Sequence, residues 1–419
     1  MKKRSIFLVL LGSILLTPIF SLQMSVSAHS DTVFVEDLFE DKEFAVAFHD
    51  SLINEFGEEF VYNQMTAWEQ VEELHNSFPV NRVGETMFPR FYGGSYICDE
   101  GYLVTLTVGE ELPNRPFIFL DNIEMVNYSY AELNQLLDLL AMRINNLSIE
   151  IPNLASARLD IRENRVVVEL LTLNDHEIEM FLEYIIDHSA FYFVQAYDVP
   201  HLIGEGESES ESLVDETPSP RNFSMPPGAA LSLTLNGGSN RSVGYRARNR
   251  NGQLGFVTAA HHDTGFFNLG QRFYSGTPRR FVGEITQISR SHDAAFVRLP
   301  AGATLSNNAM NGLFISPVAT NPVQGGAVTR ISAGGSGSPL AVNGTILSTN
   351  VVVLSGGVAV QAVEVSGMRG SPGDSGGIVV HRTVNPTIGG IHIGTAWNGM
   401  FAYYVRADRI NSALQLTTN

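Results

Sequence analysis

The sequence predicts an all-β unit of closed barrels over residues 228–419, preceded by an α/β unit over residues 29–203. Three observations carry this division. From Gly228 onward, apolar runs of five to eight residues alternate with Gly/Ser/Asn turns, and no convincing helical pattern arises before the last dozen residues. Before residue 204, helical spacing of apolar side chains alternates with strand-like runs. Between the two lies Gly204-Glu205-Gly206-Glu207-Ser208-Glu209-Ser210-Glu211-Ser212, followed by Pro218, Pro220, Pro226 and Pro227. That composition buries too little apolar surface to order itself, so residues 204–227 are expected to form a disordered linker open to proteolysis.

The N-terminus reads Met1-Lys2-Lys3-Arg4, an apolar run from Ile6 to Leu16, and Val26-Ser27-Ala28. A basic start, a short apolar core and small residues at the cleavage positions predict a secretory signal over residues 1–28, cut after Ala28. A membrane anchor is the alternative, but the run is short and ends near Pro18. No other segment is apolar enough to span a bilayer. The expectation is a secreted, extracellular protein with no membrane association once its signal is removed.

Residues 32–80 are expected to be helical. Phe44, Ala45, Phe48, Leu52, Ile53 and Phe56 recur at helical spacing, and Trp68, Val71 and Leu74 continue the stripe. Phe91–Leu106 reads as two strands around an Asp99-Glu100-Gly101 turn. A helix over 129–147, a hairpin turning at Glu163-Asn164, a helix over 176–187 and a strand over 190–196 follow. In the C-terminal unit strands are expected at 255–259, 294–299, 327–331, 351–354, 358–365, 377–380 and 401–405.

Cys98 is the only cysteine, so no intrachain disulfide can form and the core alone holds the fold. Cys98 reads as a small buried apolar residue, with a reactive thiol as the alternative. The net charge of −18 is unevenly spread. Residues 228–419 hold fourteen Arg, no Lys, four Asp and two Glu, a net of +8, which leaves −26 for the rest. Opposite net charges suit two parts that dock. No Lys/Arg-rich run suggests nucleic acid, no acidic cluster in 228–419 suggests a metal, and no cofactor is implied. A monomer is expected.

The most informative residues are Gly373-Asp374-Ser375-Gly376-Gly377. A serine hydroxyl is a weak nucleophile and needs a histidine base, which in turn needs an orienting carboxylate. Both stand upstream. His261 ends Gly255-Phe256-Val257-Thr258-Ala259-Ala260-His261, and Asp293 heads Asp293-Ala294-Ala295-Phe296-Val297. The order is His, Asp, Ser, with separations of 32 and 82 residues. His262 and His292 are rival bases by residue type only.

On these three ordered motifs, residues 228–419 resemble the secreted bacterial branch of chymotrypsin-fold serine proteases that contains alpha-lytic protease and the streptogrisins. The resemblance implies a double Greek-key barrel with His261, Asp293 and Ser375 as triad and the Gly373 and Ser375 amides as oxyanion hole. The hairpin at 91–106 is similar to one in pro-segments of these proteases. That implies an N-terminal folding assistant, which stays bound as an inhibitor until cut. Val328-Thr329-Arg330 resembles the strand that carries the buried partner of the aspartate before the nucleophile, which assigns Arg330 to Asp374. The family's usual cysteine after the catalytic histidine is replaced by His262.

The segment Gly389-Gly390-Ile391-His392-Ile393-Gly394-Thr395 resembles the pocket wall of glutamyl endopeptidases. With Arg369, six residues before Ser375, it implies a pocket of Arg369, His392 and Thr395 for an acidic side chain. Two departures stand against this: Gly370 lacks a hydroxyl, and Ile393 replaces a serine that supports the aspartate. Residues 228–419 contain only Glu284 and Glu364, whereas the linker holds Glu205, Glu207, Glu209, Glu211 and Glu216. The expected function is a secreted serine endopeptidase made as a zymogen and acting on protein and peptide substrates, with its own pro-domain as partner. Cleavage after Glu competes with cleavage after small or medium apolar residues. An inactive protease-fold binding protein and an activated-serine esterase are the other classes weighed. The latter conflicts with the His-Asp-Ser order, since α/β-hydrolases run Ser-Asp-His.

Overall fold

The computed structural model describes residues 53, 57–81, 86–109, 122–147, 153–196, 223–233, 241–262, 265–276, 280–333, 340–355, 358–383, 385–396 and 400–418. The expected signal (1–28), the start of the expected first helix and most of the expected linker lie outside these residues. Among the described residues no helix is long and apolar enough to cross a membrane.

In the N-terminal unit, helix α1 spans Glu58–Asn76 and buries Val61, Gln64, Ala67, Trp68, Val71 and Leu74, one face of the helical stripe. Strands β1 (Tyr92–Ile97) and β2 (Leu103–Val108) form the expected hairpin, and β3 (Ile123–Val126) pairs parallel to β2. Helix α2 (Tyr130–Leu147) follows, then β4 (Leu154–Asp160) antiparallel to β5 (Arg165–Leu170). Helix α3 (Asp175–Tyr184) starts where Asn174 Oδ1 accepts the Glu177 N–H at 2.9 Å, a side-chain N-cap. Strand β6 (Phe191–Gln195) returns parallel to β5. Leu133, Leu137 and Leu140 of α2 pack with Leu106, Leu159, Val166 and Val168, all fully buried. Cys98 sits half-buried against this core, beside Tyr96.

The C-terminal unit is two β lobes. The first is a six-stranded antiparallel sheet built from β7 (Arg246–Asn249), β8 (Leu254–Ala259), β9 (Arg272–Ser275), β10 (Arg280–Ser289), β11 (Ala294–Arg298) and a late strand, Leu416–Thr417. The second contains β12 (Ala327–Ser332), β13 (Leu340–Ser355), β14 (Val358–Ser366), β15 (Ile378–His381), β16 (Thr387–Thr395) and β17 (Phe401–Arg406). It runs β12-β15-β16-β17-β14-β13 and closes, because β12 also pairs with β13. Alternation along β8 joins the lobes. Phe256 faces the first core with Phe273 and Val297, while Val257 and Ala259 enter the cluster of Ile378, Ile391 and Val405. Helix α4 (Ala407–Leu414) precedes that late strand and is the helix expected near the C-terminus. The architecture is the expected all-β double-lobed domain behind an α/β unit.

Residues 223–227 differ from the linker expectation. Ser224–Met225 pairs with Thr304–Leu305, and Met225 is buried in the first core. The expected linker includes the two prolines that follow, Pro226 and Pro227. They sit instead where the chain turns into the lobe, and the Pro227 carbonyl accepts the Met310 N–H at 2.9 Å.

The two units share a sheet. Arg158 and Ala157 of β4 pair antiparallel with Val351 and Val352 of β13, so the N-terminal sheet continues into the second lobe. Val352 and Ala359 enter the N-terminal core. Around this seam Ser348 Oγ donates to Leu159 O at 2.7 Å and the Ile97 N–H to Gln324 O at 2.7 Å. Gly325 is required there: its φ is +83°, and a Cβ would lie 2.0 Å from Ile97 O. From α1, Gln64 Oε1 accepts the Ala327 N–H at 3.0 Å, and Trp68 stacks on His381 at 4.8 Å.

Candidate active site

The first lobe delivers His261 and Asp293, and the second delivers Ser375. His261 follows β8 and is almost fully buried. Asp293 ends a single 3-10 turn, Arg290–His292, in a left-handed conformation (φ 43°, ψ 47°), then β11 begins. That kink points its carboxylate back at the residues after β8. Oδ1 accepts the N–H groups of Ala260 (3.1 Å) and His261 (2.8 Å), and Oδ2 lies 2.5 Å from His261 Nδ1. The other ring nitrogen, Nε2, lies 3.2 Å from Ser375 Oγ. Serine, histidine and aspartate therefore form one hydrogen-bonded line across the lobe boundary.

Burial alone would raise the Asp293 pKa. The facing His261, its side-chain and backbone hydrogen bonds, and Arg241 outweigh burial and hold the carboxyl below its usual value. The aspartate stays ionised and can fix the tautomer of the ring and stabilise its protonated form. The backbone donors of Ala260 and His261 occupy Oδ1, so the isoleucine at 393 leaves neither oxygen of the carboxylate without a partner.

The loop that carries Ser375 is a tight turn. The Gly377 N–H bonds Asp374 O (2.9 Å), the Gly376 N–H bonds His392 O (2.8 Å), and the His392 N–H bonds Gly377 O (2.8 Å). Gly373 has φ 97°. Gly376 has φ 85°, and a Cβ there would lie 2.1 Å from Thr258 Oγ1, so only glycine fits between the loop and β8.

Ser242 ties this loop to the first lobe and carried no motif in the sequence. Its N–H bonds Ser375 O (2.9 Å), its Oγ donates to Gly373 O (2.8 Å), and that Oγ accepts the Ala333 N–H (3.1 Å). Arg241 beside it is buried, donates to His261 O and lies 4.5 Å over the Phe267 ring. Both residues sit in a two-residue strand too short to show a pattern.

The rival histidines face elsewhere. His262 Nε2 lies 3.1 Å from Phe266 O, and His292 Nδ1 lies 2.8 Å from Ser289 Oγ. Burial, then Arg409, pull the His292 pKa down to about 4 against Asp408.

Asp374 and Arg330 are brought together as expected. Both are fully buried, with Arg330 Nη2 2.9 Å from Asp374 Oδ2. Asp374 also accepts from Ser332 Oγ (2.6 Å) and from the Ser371 N–H (2.7 Å). His392 and Thr395 of β16 are buried side by side near Gly370. Arg369 is exposed to solvent. Among the described residues, no group of three or more His, Cys, Asp or Glu is placed to hold a metal ion.

Residues 131–196 match the family model described as a Pro-like C-terminal domain, which spans α2 to β6. A comparison with curated proteins finds no match. Among solved structures, the chain is similar to a Nocardiopsis protease at 27% identity, over 46% of this chain and 98% of that one, with a TM-score of 0.37. It is similar to a Cellulomonas bogoriensis chymotrypsin at 26% identity, with the same coverage and TM-score. A third is a glutamic acid-specific serine protease whose substrate binding uses a histidine triad, at 27% identity over 46% and 98%, again with a TM-score of 0.37.

Proposed function

We propose that the chain is a secreted serine endopeptidase, with residues 1–28 as its signal and the α/β unit as its own pro-region. The observation that carries the reading is the line Asp293 Oδ2, His261 Nδ1, His261 Nε2, Ser375 Oγ, with spacings of 2.5 and 3.2 Å. Ser375 Oγ attacks the scissile carbonyl carbon and its proton passes to His261 Nε2. The resulting oxyanion is held by the N–H groups of Gly373 and Ser375. Losing one such donor typically costs about 3 kcal/mol. Collapse expels the amine, which takes the proton from His261, and water then cleaves the acyl-serine by the same route in reverse.

The pro-region reading rests on the Pro-like match over 131–196 and on the sheet shared between β4 and β13. A partner that adds strands to the second lobe orders the hairpin of β13 and β14, which lies far in sequence from β4. Its net charge opposes that of residues 228–419. Cutting the segment between the units frees the enzyme, and the buried Arg330–Asp374 pair means that no new N-terminus has to be inserted.

Cleavage after Glu is the preferred specificity. His392 and Thr395 are buried side by side at Gly370, and Glu is scarce in residues 228–419 but dense in residues 205–216.

The test of function is fluorophosphonate labelling of Ser375 with peptide hydrolysis beside it. Labelling with hydrolysis is expected, and Ser375→Ala is expected to lose both and to accumulate uncleaved precursor. A correctly folded protein that neither labels nor hydrolyses peptides would instead be a binding protein on a protease fold.

A further inference from the structure

Gly370 marks a point where three side chains converge on the backbone. A methyl group built on its Cα would lie 2.8 Å from Thr395 Cγ2, 2.9 Å from His392 Nε2 and 3.2 Å from Arg330 Nη1. Arg330, Thr395 and His392 are 0, 1 and 2% exposed. Arg330 is thus more than the partner of Asp374. Among the described residues its Nε and Nη1 are buried without a hydrogen bond, and Nη2 meets Asp374 at ion-pair distance without hydrogen-bond alignment. Asp374, for its part, already accepts from Ser332 and Ser371. A buried guanidinium with unused donors is unfavourable until an acceptor arrives. A carboxylate entering beside Gly370 would be that acceptor, and a guanidinium fork suits it.

We propose that Arg330, not the exposed Arg369, supplies the positive charge that reads the carboxylate of the residue before the scissile bond. Its guanidinium is shared between Asp374 and the substrate, with His392 and Thr395 as hydrogen-bonding neighbours. The inference rests on the acidic specificity given above and names its charge. Burial first, then Arg330 and His261, hold His392 well below the ordinary histidine range. At neutral pH His392 therefore offers a hydrogen bond, and the charge must come from its neighbour.

The test uses enzyme matured from the full chain, counted by fluorophosphonate titration, and matched peptides with Glu or Gln before the cut. The ratio of their kcat/KM values reads the carboxylate alone. In wild type the ratio is expected to stay flat from about pH 6 to 9, where the substrate Glu is ionised and arginine does not titrate. Arg369→Ala is expected to leave it within about fivefold, the effect of a screened surface charge. The pair Arg330→Met with Asp374→Asn, which avoids stranding a buried charge, is expected to lower it by about 30-fold or more. A ratio that falls as pH rises through the histidine range, or one lost in Arg369→Ala, overturns the role of Arg330. So does an unchanged ratio in the double variant. Both single-protein arms decide the matter even if the double variant does not mature. A wild type that treats Glu and Gln alike overturns the acidic specificity itself.

Discussion

The side-chain amide of Asn145 replaces a strand partner for Ala359: its Nδ2 donates to Ala359 O at 2.9 Å and its Oδ1 accepts the Ala359 N–H at 2.8 Å. Ala359 is the second residue of β14, the return strand of the hairpin that the N-terminal sheet extends, and it is buried in the N-terminal core. Both backbone groups lose water on docking, and one side chain satisfies both. Asn145→Ala leaves them unpaired at about 1–3 kcal/mol each. The separated N-terminal unit with this change is expected to inhibit the matured enzyme at least tenfold less strongly. Equal inhibition constants would show that the amide hook carries no docking energy.

Glu364 makes the same seam sensitive to pH. Its carboxyl lies 3.7 Å from Arg158 Nε, and Tyr403 Oη lies 3.4 Å from its Oε1. Burial, with Glu169 adding, outweighs Arg158 and the tyrosine hydroxyl and raises the pKa to about 7. The folded, docked chain therefore holds a proton that the unfolded chain has released above about pH 4.5. Folded-state proton binding exceeds unfolded-state binding between those values, so stability falls as pH rises from about 4.5 to 7 and is level above. Glu364→Gln, made in the Ser375→Ala chain to prevent cleavage, is expected to raise Tm at pH 8 and leave it unchanged at pH 4.5. A destabilised glutamine variant at pH 8 would show that the Arg158 contact outweighs the burial of the charge.

On the proposed function, Ser242 is a positioning residue for the loop that would hold the oxyanion, since its Oγ donates to Gly373 O. Ser242→Ala removes the donor to Gly373 O and the acceptor of the Ala333 N–H. Each buried group left unpaired costs about 1–3 kcal/mol of stability. The Gly373 amide is then less well aimed, which matters in the transition state and not in the ground state. The expected result is a kcat lowered on the order of tenfold with KM nearly unchanged. A change confined to KM would place Ser242 with substrate binding instead.

Much of this arrangement was legible in the sequence because its signals are local. The motifs around His261, Asp293 and Ser375 fix strand ends and a turn, and strands such as 294–298 and 401–406 read directly from short apolar runs. Helices α2 and α3 likewise show in their spacing. What the sequence hid is relational. Ser242 and Arg241 have no periodicity to betray them, and their work is done through partners more than a hundred or about twenty residues away. Arg330 read as an ion-pair partner because a linear motif names one neighbour, while a buried guanidinium has several faces. Arg369 read as a pocket residue by its distance from Ser375 along the chain, yet its side chain reaches solvent. The strand at 387–395 was masked by its glycines, which pass close to Val405 and His381 where a side chain would clash.

The start of the mature enzyme follows from the strand at Ser224–Met225. Thr304 N–H bonds Phe223 O at 2.9 Å and Ser306 N–H bonds Met225 O at 3.1 Å, while Met225 is 4% exposed in the first core. Burying one such side chain is worth about 1.5–3 kcal/mol, and each hydrogen bond adds about 1 kcal/mol. A cut that removed these residues would cost the first lobe a few kcal/mol out of a typical 5–15. Maturation is therefore expected to cut before Phe223, and the proposed acidic specificity would put the cut after one of Glu205, Glu207, Glu209, Glu211 or Glu216. N-terminal sequencing of the matured enzyme reads this directly. A chain beginning at Gly228 is expected to denature at a clearly lower urea concentration than one beginning at Thr217, with both prepared alongside the N-terminal unit. Equal midpoints would show that the strand at 224–225 is dispensable, and a mature N-terminus beyond Met225 would sink the prediction outright.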